Sequence, residues 1–431
     1  MEFKLRELPK SKIEIEVEIP TQEWDEFLNE AIKDLSKNLK IEGFRPGHIP
    51  RNIIEREVGT GKILERAADL AVNKTYLNII NKENIEVLGR PQITIQKIAF
   101  ENPLVYKAEV VVMPKVELPD YEAIAKSEPK KLKNEIKVKE KEIEQAVNWL
   151  SKSRAKYTNV EREARKGDRL EIDFSAYGGQ NSESPQKIDE AKNYLFIFGE
   201  GKFIPGFEKQ IENMKVGEEK EFNLVFPTDY PKKELVGSPV NFKVKIKNIQ
   251  KVEIPEQNDE FAKSLGNFEN LIALKQNIKE GILLEKERKE KEAWRIKTIK
   301  EIAKKSKIDI PDILVESEIE KMLEELKESV LNMGLEFDKY LEQIKKTRDE
   351  LRKDLVKLAE ERICVALVLN QITKERNIEA TEEEIEAEIN KILKNYASIE
   401  QTKNQIDIER LREYTKGVIK NEKVFKILES M

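Results

Sequence analysis

The chain has 431 residues, of which 39% are hydrophobic and 37% are charged, with 78 basic and 83 acidic side chains. This length exceeds the roughly 250 to 300 residues that one hydrophobic core serves, so we expect two or three domains. The near balance of charge favours long solvated helices and excludes a globally basic nucleic-acid-binding surface, so any contact with RNA must be local.

Cysteine and histidine occur once each. Because Cys364 is the only cysteine, the chain cannot form an intrachain disulfide, and we expect a reducing compartment. Residues 363–369 around it are apolar, which favours a buried structural thiol over a reactive one. Because His48 is the only histidine, we exclude Ser-His-Asp, Cys-His and histidine-based metal chemistry. We expect no cofactor and no metal. The N-terminus shows no apolar signal-peptide core, and 363–369 is the longest apolar run. We therefore expect a cytoplasmic protein without membrane contact.

The first 112 residues show the patterns of a compact α+β domain. Residues 12–19 alternate apolar and charged side chains, which is the period of a half-exposed strand. Thr21 then caps a helix whose apolar residues recur at helical spacing as far as Leu39. Further elements are predicted in this order: a short helix around 53–58, a longer helix over 63–80, and strands around 92–98 and 104–112.

Eight residues interrupt the helical pattern: Gly43-Phe44-Arg45-Pro46-Gly47-His48-Ile49-Pro50. Their two glycines and two prolines predict a projecting loop. Phe44 and Arg45 are side-chain types enriched at binding hot spots, and an arginine can fork onto phosphate or carboxylate. Six cations against three anions between Lys33 and Arg56 give this loop locally positive surroundings. The alternative is an ordinary polar turn whose aromatic ring folds inward.

The pattern Gly43-Phe44-Arg45-x-Gly47-x-x-Pro50 resembles the signature of the trigger factor family of bacterial chaperones. The resemblance implies that the loop joins two helices and docks on the large ribosomal subunit near the exit of the nascent-chain tunnel, with contacts to protein and rRNA. It implies a ribosome-binding site made of Gly43, Phe44, Arg45, Pro46 and Gly47. The family commonly has a basic residue where this chain has Pro46, so one positive charge is missing.

Residues 113–158 connect this domain to the next. Residues 113–138 show neither a helical nor a strand pattern, because they contain three prolines and a lysine-rich stretch. Several large apolar residues nevertheless occur there. We therefore predict an extended linker that lies along another domain. A helix follows over 139–157, with Ile143, Val147, Leu150 and Tyr157 on one apolar stripe. We expect the linker and this helix to pack with the C-terminal domain.

Residues 159–252 are rich in glycine and aromatic side chains and read as strands. The predicted strands lie around 170–174, 194–198, 221–226 and 240–249, with one short helix after Pro205-Gly206-Phe207. The glycine-rich segment from Gly199 to Gly206 matches neither the G-x-G-x-x-G fingerprint nor the P-loop pattern. This mismatch argues against a phosphate site.

Five short motifs follow one another here: Gly167-Asp168, Phe198-Gly199, Phe203-Ile204-Pro205-Gly206-Phe207-Glu208, Val216-Gly217 and Phe226-Pro227. Their order resembles that of FKBP-type peptidyl-prolyl isomerases. The resemblance implies an antiparallel sheet with one short helix and a proline-binding pocket as the catalytic site. By position, the pocket lining is Phe174, Ile188, Asp189, Tyr194, Phe203, Ile204, Phe207, Tyr230 and Phe242.

An aromatic pocket suits prolyl isomerisation because amide resonance sets a barrier of about 18 to 20 kcal/mol, and no nucleophile is needed to overcome it. A dry pocket that favours the less polar twisted amide lowers that barrier. The resemblance implies a main-chain donor near Ile204 for the preceding carbonyl. Ile188 is smaller than the family's usual aromatic, and Ser175-Ala176 replaces a common Thr-Gly pair, so we expect reduced activity. The alternative for any single aromatic residue is a plain core position.

From residue 253 to the end, the pattern is almost wholly helical. A long helix begins near Phe268 and continues to about Ile302, and Pro311 opens the next, which ends at Gly334. The helix over 351–372 is apolar nearly all round and should be central. Two more helices follow over 385–396 and 411–428, and no fixed repeat is evident, so we do not predict a solenoid.

The order of these segments resembles the whole trigger factor family. It implies an α+β multidomain protein: an N-terminal ribosome-binding domain (1–112), a linker and helix (113–158), an FKBP-type isomerase domain (159–252) and an all-α C-terminal chaperone domain (253–431). We expect a ribosome-associated chaperone that binds nascent and unfolded polypeptides, with scattered apolar side chains on the C-terminal helices as the binding surface. The sequence leaves open whether the free protein forms a homodimer.

Two other functions fit the same residues. One is a free cytoplasmic prolyl isomerase that does not depend on ribosomes, and co-sedimentation with ribosomes separates it from the first hypothesis. The other is a helical scaffold with an inactive FKBP-like module, which would lack both isomerase activity and suppression of aggregation.

Overall fold

A computed structural model describes residues 1–38, 50–129, 135–178, 186–396 and 407–431. The chain forms two compact units, one made of Met1–Lys130 with Lys291–Met431 and the other of Lys131–Glu290. The predicted fold class is confirmed, because the structure combines a helix-covered sheet, an antiparallel sheet with one short helix, and a helical C-terminal region. None of the described helices contains a stretch long and apolar enough to cross a membrane.

The helices and strands are numbered here in chain order. They are β1 (Glu2–Leu8), β2 (Lys12–Ile19), α1 (Thr21–Asn38), α2 (Arg51–Val58), α3 (Thr60–Lys82), β3 (Gln92–Lys97), β4 (Leu104–Val111), β5 (Val116–Glu117), α4 (Tyr121–Ser127), α5 (Glu140–Ser153), β6 (Lys156–Asn159), β7 (Arg169–Gly178), β8 (Gln186–Ile197), α6 (Phe207–Ile211), β9 (Glu219–Val225), β10 (Pro239–Glu253), α7 (Asp259–Leu265), α8 (Leu271–Lys305), β11 (Lys307–Ile308), α9 (Asp312–Asn332), α10 (Phe337–Ile344), α11 (Arg348–Glu375), α12 (Glu382–Tyr396) and α13 (Ile408–Ser430).

The N-terminal sheet is antiparallel in the order β1-β2-β4-β3, and α1 and α3 pack against it. On β2, Ile15, Val17 and Ile19 are fully buried, because alternate side chains of a strand point to one face. Trp24 of α1 completes this core and donates its indole N–H to the Ala99 carbonyl at 2.9 Å. The pattern of apolar residues therefore predicted the helices and the inner strands of this region correctly, but not the edge strand β1, whose residues are mostly exposed.

The helix predicted over 139–157 is too long. It ends at Ser153, and Tyr157 belongs instead to β6, which pairs antiparallel with the end of β10. The Tyr157 ring is 44% exposed and packs against the guanidinium of Arg169, 4.4 Å from the ring centre. Position 157 continues the helical stripe by spacing alone, but the strand pairing decides its structure. The rest of the helix, α5, buries Ile143 and Val147 against α7 and the start of α8.

The sheet of the second unit contains all four predicted strands. Its order is β6-β10-β7-β8, with β9 paired to the other part of β10, and every pairing is antiparallel. β7 and β10 each place alternate apolar residues in the core that also holds α6. β8 is longer than predicted, and β6 was not predicted as a strand.

The helix predicted as central, α11, buries residues along one side in both halves, and in its first half Leu351 and Ala359 pack in a core with α9. Val368, Leu369 and Ile372 pack in a core with α8 and α13, whereas Val356 and Leu358 are 37% and 43% exposed. Cys364 is half-buried, and burial raises the pKa of its thiol. The raised pKa disfavours the thiolate, so this cysteine is poorly suited to nucleophilic chemistry.

A buried arginine ties α8 to α13. The side chain of Arg295 is 11% exposed, and its Nε donates to Glu429 at 2.5 Å while its terminal nitrogens donate to Glu422 at 2.7 and 2.8 Å. Burial opposes the ionisation of Glu429, but hydrogen bonds from Arg295 and Lys291 hold the pKa of that carboxyl below its ordinary value. The hydrogen bond to Glu422 raises the pKa of Arg295 in turn.

Replacement of Arg295 by leucine should therefore destabilise the C-terminal helices. Removal of one partner leaves the Glu429 carboxylate buried without its arginine, which costs about 3 kcal/mol for a pair of this kind. The free energy of unfolding, followed by far-ultraviolet circular dichroism in denaturant, measures this loss. Arg288→Leu, at an exposed position of the same helix, is the matched control and should change stability by less than about 0.5 kcal/mol. Equal effects of the two variants would contradict the role of the buried network.

Candidate functional site

The predicted ribosome-binding residues Gly43, Phe44, Arg45, Pro46 and Gly47 lie outside the described residues. The helices on either side of them are described and anchored. In α1, Asp34 accepts two hydrogen bonds from Arg66 of α3, at 2.6 and 2.9 Å. In α2, Ile54 is fully buried in the N-terminal core. The two helices that precede and follow these residues, α1 and α2, are therefore fixed on the same core.

The second candidate site is a cavity of about 530 Å³ in the isomerase-like sheet. Strands β7, β8 and β10 form one side, and two connecting segments, 201–205 and 226–231, form the rest. Eight of the nine residues predicted to line the pocket lie around it. They are Phe174, Ile188, Asp189, Tyr194, Phe203, Ile204, Tyr230 and Phe242.

The phenyl ring of Phe203 lies at the centre of the aromatic wall. It meets the rings of Phe174, Tyr194 and Phe196 edge-on, with ring centroids 5.3, 5.6 and 5.1 Å apart. Edge-to-face pairs of this kind are favoured because the positive rim of one ring faces the negative face of the other. Phe174, Tyr194 and Phe203 are thus mutually supporting rings that border the cavity, whereas Phe196 is buried and does not border it.

Phe207 is the exception among the predicted lining residues. It is fully buried and does not border the cavity. Its ring stacks face to face on Phe203, with centroids 3.9 Å apart and planes 9° apart, and its other side meets Phe222 and Phe242. The prediction that Phe207 forms the pocket wall is therefore corrected: its ring belongs to the core and supports the wall from behind.

Sequence reasoning missed part of the opposite wall. Phe226, Pro227, Asp229 and Pro231 also border the cavity, and the Phe226 ring lies 4.5 Å from that of Tyr230. The Phe226-Pro227 motif was the available signal, since it sits four residues before Tyr230 in the same connecting segment. Two prolines in this segment limit its backbone freedom, which suits a wall that has no strand partner.

Charge around the cavity is confined to its exposed margin. Asp189, Lys202 and Asp229 border it and are all exposed, and Asp189 accepts a hydrogen bond from the backbone N–H of Glu190 at 2.8 Å. The deeper lining is aromatic and aliphatic. Such a site can bind an apolar ring and reduce its contact with water, and it suits a bond rotation that requires no proton transfer.

Comparison with known proteins decides the family. Residues 1–150 match the N-terminal profile of bacterial trigger factor, residues 270–429 match its C-terminal profile, and residues 160–247 match FKBP-type peptidyl-prolyl cis-trans isomerase. Trigger factor of Caldicellulosiruptor saccharolyticus is 35% identical over 432 residues, which cover all of this chain and 97% of the relative. The chain belongs to the trigger factor family. Trigger factor of Caldicellulosiruptor bescii is similarly related, at 34% identity over 431 residues, with all of this chain and 97% of that relative covered.

A solved structure agrees in fold. A trigger factor chaperone described for promiscuous substrate recognition has a TM-score of 0.58 and 22% identity, and the match covers all of this chain and 99% of that one. As a member of the family, the protein is a ribosome-associated chaperone of nascent chains with an FKBP-type prolyl isomerase domain. The first of the three functional hypotheses is thereby confirmed over the free isomerase and the inactive scaffold.

The cavity wall and its support should respond differently to truncation. Tyr230→Ala removes a half-buried part of the wall, so kcat/KM for a short Xaa-Pro peptide should fall about tenfold, equivalent to roughly 1.4 kcal/mol of lost transition-state contact, with a smaller loss of stability than truncation of a fully buried ring. Tyr157→Ala, in the same sheet but away from the cavity, should keep the wild-type rate.

Phe207→Ala should act mainly on stability. Loss of a fully buried phenyl ring costs about 4 kcal/mol, so thermal unfolding of the isomerase domain should shift strongly downward. A Phe207→Ala variant with wild-type stability, or a Tyr230→Ala variant with wild-type kcat/KM, would contradict this assignment of core and wall.

Proposed function

We propose that this chaperone holds unfolded chains on the helices of residues 253–431 and isomerises prolyl bonds separately, in the cavity lined by Phe203 and Tyr230. We further propose the boundaries 1–112, 113–158, 159–252 and 253–431 for its segments. The observation that carries the first part is the exposure of large apolar side chains along the C-terminal helices. Ile296, Leu331, Met333, Leu358, Tyr414 and Val418 are between 43% and 69% exposed.

These exposed residues are spread over several elements and do not form one deep pocket. They lie on α8, α11 and α13 and at the end of α9, among charged residues that form ion pairs between α9 and α11, such as Arg352 with Glu316 and Glu320. An unfolded client presents apolar side chains in no fixed order, so separated weak contacts suit it better than one specific site. Several weak contacts on one chain act together, because each bound segment raises the local concentration of the next.

For the isomerase, the proposed mechanism uses the wall and one backbone donor. The proline ring enters the aromatic cavity, and the backbone N–H of Ile204 holds the carbonyl that precedes the proline. The twisted amide has lost resonance and is less polar than the planar one, so an apolar site favours it over the ground state. Ile188 and Ala176 border this cavity where the family commonly has larger or different residues, which supports an activity below that of typical members.

For docking, we propose that Phe44 and Arg45 contact the large ribosomal subunit, with Arg45 and nearby cations on rRNA phosphates. Binding should then weaken as salt increases, because each phosphate contact releases counterions. Docking of this kind places the working protein in the cytoplasm.

The docking proposal predicts that Phe44→Ala with Arg45→Ala removes co-sedimentation with ribosomes while the protein stays folded. The reason is that the pair supplies both the apolar anchor and the forked cation of the loop. Arg90→Ala removes one positive charge at an exposed position outside residues 33–56 and is the matched control. If the double variant co-sediments with ribosomes as well as the wild type does, Phe44 and Arg45 are not part of the docking site.

The division of labour predicts that client holding survives removal of the isomerase sheet. β6 and β10 are antiparallel neighbours, with Lys156 opposite Glu253, so the two ends of this sheet lie side by side and a short Gly-Ser linker can replace residues 155–254. The shortened protein should suppress aggregation of a proline-poor unfolded protein as well as the full chain does. Tyr230→Ala in the full chain is the control that slows isomerisation and keeps the sheet. If the shortened protein remains helical and cooperative but no longer suppresses aggregation, client binding belongs to the isomerase domain.

A further inference from the structure

Residues 199–206 lie between β8 and α6 and include five residues that border the cavity: Gly201, Lys202, Phe203, Ile204 and Pro205. It is built on glycines with left-handed backbone angles: φ is 100° at Gly199, 68° at Gly201 and 93° at Gly206. Glycine adopts these angles without strain, but it also has the largest conformational freedom to lose. A glycine-rich segment that must hold an aromatic ring in place therefore needs an external support.

Glu208 supplies that support. One oxygen of its carboxylate accepts the backbone N–H of Gly199 at 3.1 Å, and the other accepts the backbone N–H of Gly201 at 3.0 Å. Both are hydrogen bonds to an ionised acceptor, which are stronger than neutral ones. Glu208 is the second residue of α6, next to Phe207, whose ring supports Phe203. One side chain thus links the beginning of the segment to the helix that follows its end.

We propose that Glu208 is a positioning residue for prolyl isomerisation, which holds segment 199–206 in the shape that presents Phe203 and Ile204 to the substrate. The proposal rests on the assignment of the cavity as the isomerase site. Glu208 does not border the cavity, so it acts through the segment and not on the peptide. Without its two hydrogen bonds, the segment samples other conformations and must be ordered when the substrate binds. That ordering cost weakens binding more than it slows the bound reaction.

Two substitutions grade the effect. Glu208→Ala removes both acceptors, so KM for an Xaa-Pro peptide should rise about tenfold while kcat stays within about threefold of wild type. Glu208→Gln keeps one oxygen and replaces the other by an NH2 group, which cannot accept a hydrogen bond. Its KM should therefore lie between those of wild type and Glu208→Ala. Glu212→Ala removes a carboxylate of the same charge at the exposed end of α6 and should leave both constants unchanged.

The two kinetic constants can be measured by NMR exchange between the cis and trans peptide signals in the full-length protein. Hydrogen exchange at the amides of residues 199–206 provides the structural readout and should be faster in Glu208→Ala. Partial unfolding would lower the apparent kcat at constant KM, so it gives the opposite pattern. Faster exchange with unchanged KM would overturn the positioning role, as would unchanged exchange.

Tyr230→Ala, measured alongside, tests the assignment of the cavity. If both Tyr230→Ala and Glu208→Ala have wild-type kinetics, the assignment of the site fails. If Tyr230→Ala is slow and Glu208→Ala is normal, only the role of Glu208 is rejected.

Discussion

The face-to-face stack of Phe203 on Phe207 connects the proposed isomerase site to the core beneath it. Phe207 is held by Phe222 on β9 and by Phe242 on β10, and the ring of Phe242 also reaches the cavity. The position of the wall is therefore set by the packing of the sheet, which does not adjust without loss of stability because protein interiors are close-packed. A site made in this way depends on shape, and a ring such as Phe242, which packs on Phe207 and also borders the cavity, has both a stability and a binding role.

The C-terminal region, which we propose binds unfolded chains, meets a different requirement. Its helices must stay folded while they leave large apolar side chains in contact with water, which reduces the area that can stabilise them. Buried ionic contacts such as Arg295 with Glu422 and Glu429, and surface pairs such as Arg362 with Glu325, connect neighbouring helices. The high charge content seen in the sequence thus serves the contacts between helices as well as solubility. Exposed pairs contribute little individually, so the buried arginine matters most.

The sequence predicted most of the long elements that have one buried face, but it missed the short helix α4, which buries Tyr121, Ile124 and Ala125 inside the predicted extended linker. Strands β2, β7 and β10 alternate cleanly and were found, whereas the edge strand β1, most of whose side chains are exposed, was not predicted although Phe3 and Leu5 alternate with charged residues. Tyr157 was placed on a helix because it lies two helical turns after Leu150. Its strand partner is Val252, far along the chain, and such long-range pairing is invisible to local spacing.

The site shows the same division between local and long-range information. Family motifs identified the lining residues by position, but a motif position does not reveal whether a ring such as Phe207 faces the cavity or the core. Glu208 was part of a recognised motif, yet its partners are the backbone N–H groups of two glycines, which side-chain patterns do not record. The role of a side chain that binds backbone groups, such as Glu208, could therefore be recognised only in the structure.

The pairing of Lys156 with Glu253 also has a consequence for chain entropy. About 100 residues separate α5 from α7, yet these two helices share one hydrophobic core. If the intervening chain were unfolded, closing it as a loop would cost roughly 3 kcal/mol more than closing a turn of a few residues, because the loss grows with the logarithm of loop length. Once the isomerase sheet has formed, β6 and β10 hold its two ends together and that loss has already been met. Folding of the inserted domain therefore favours assembly of the helices on either side of it, although it contributes no side chain to their core.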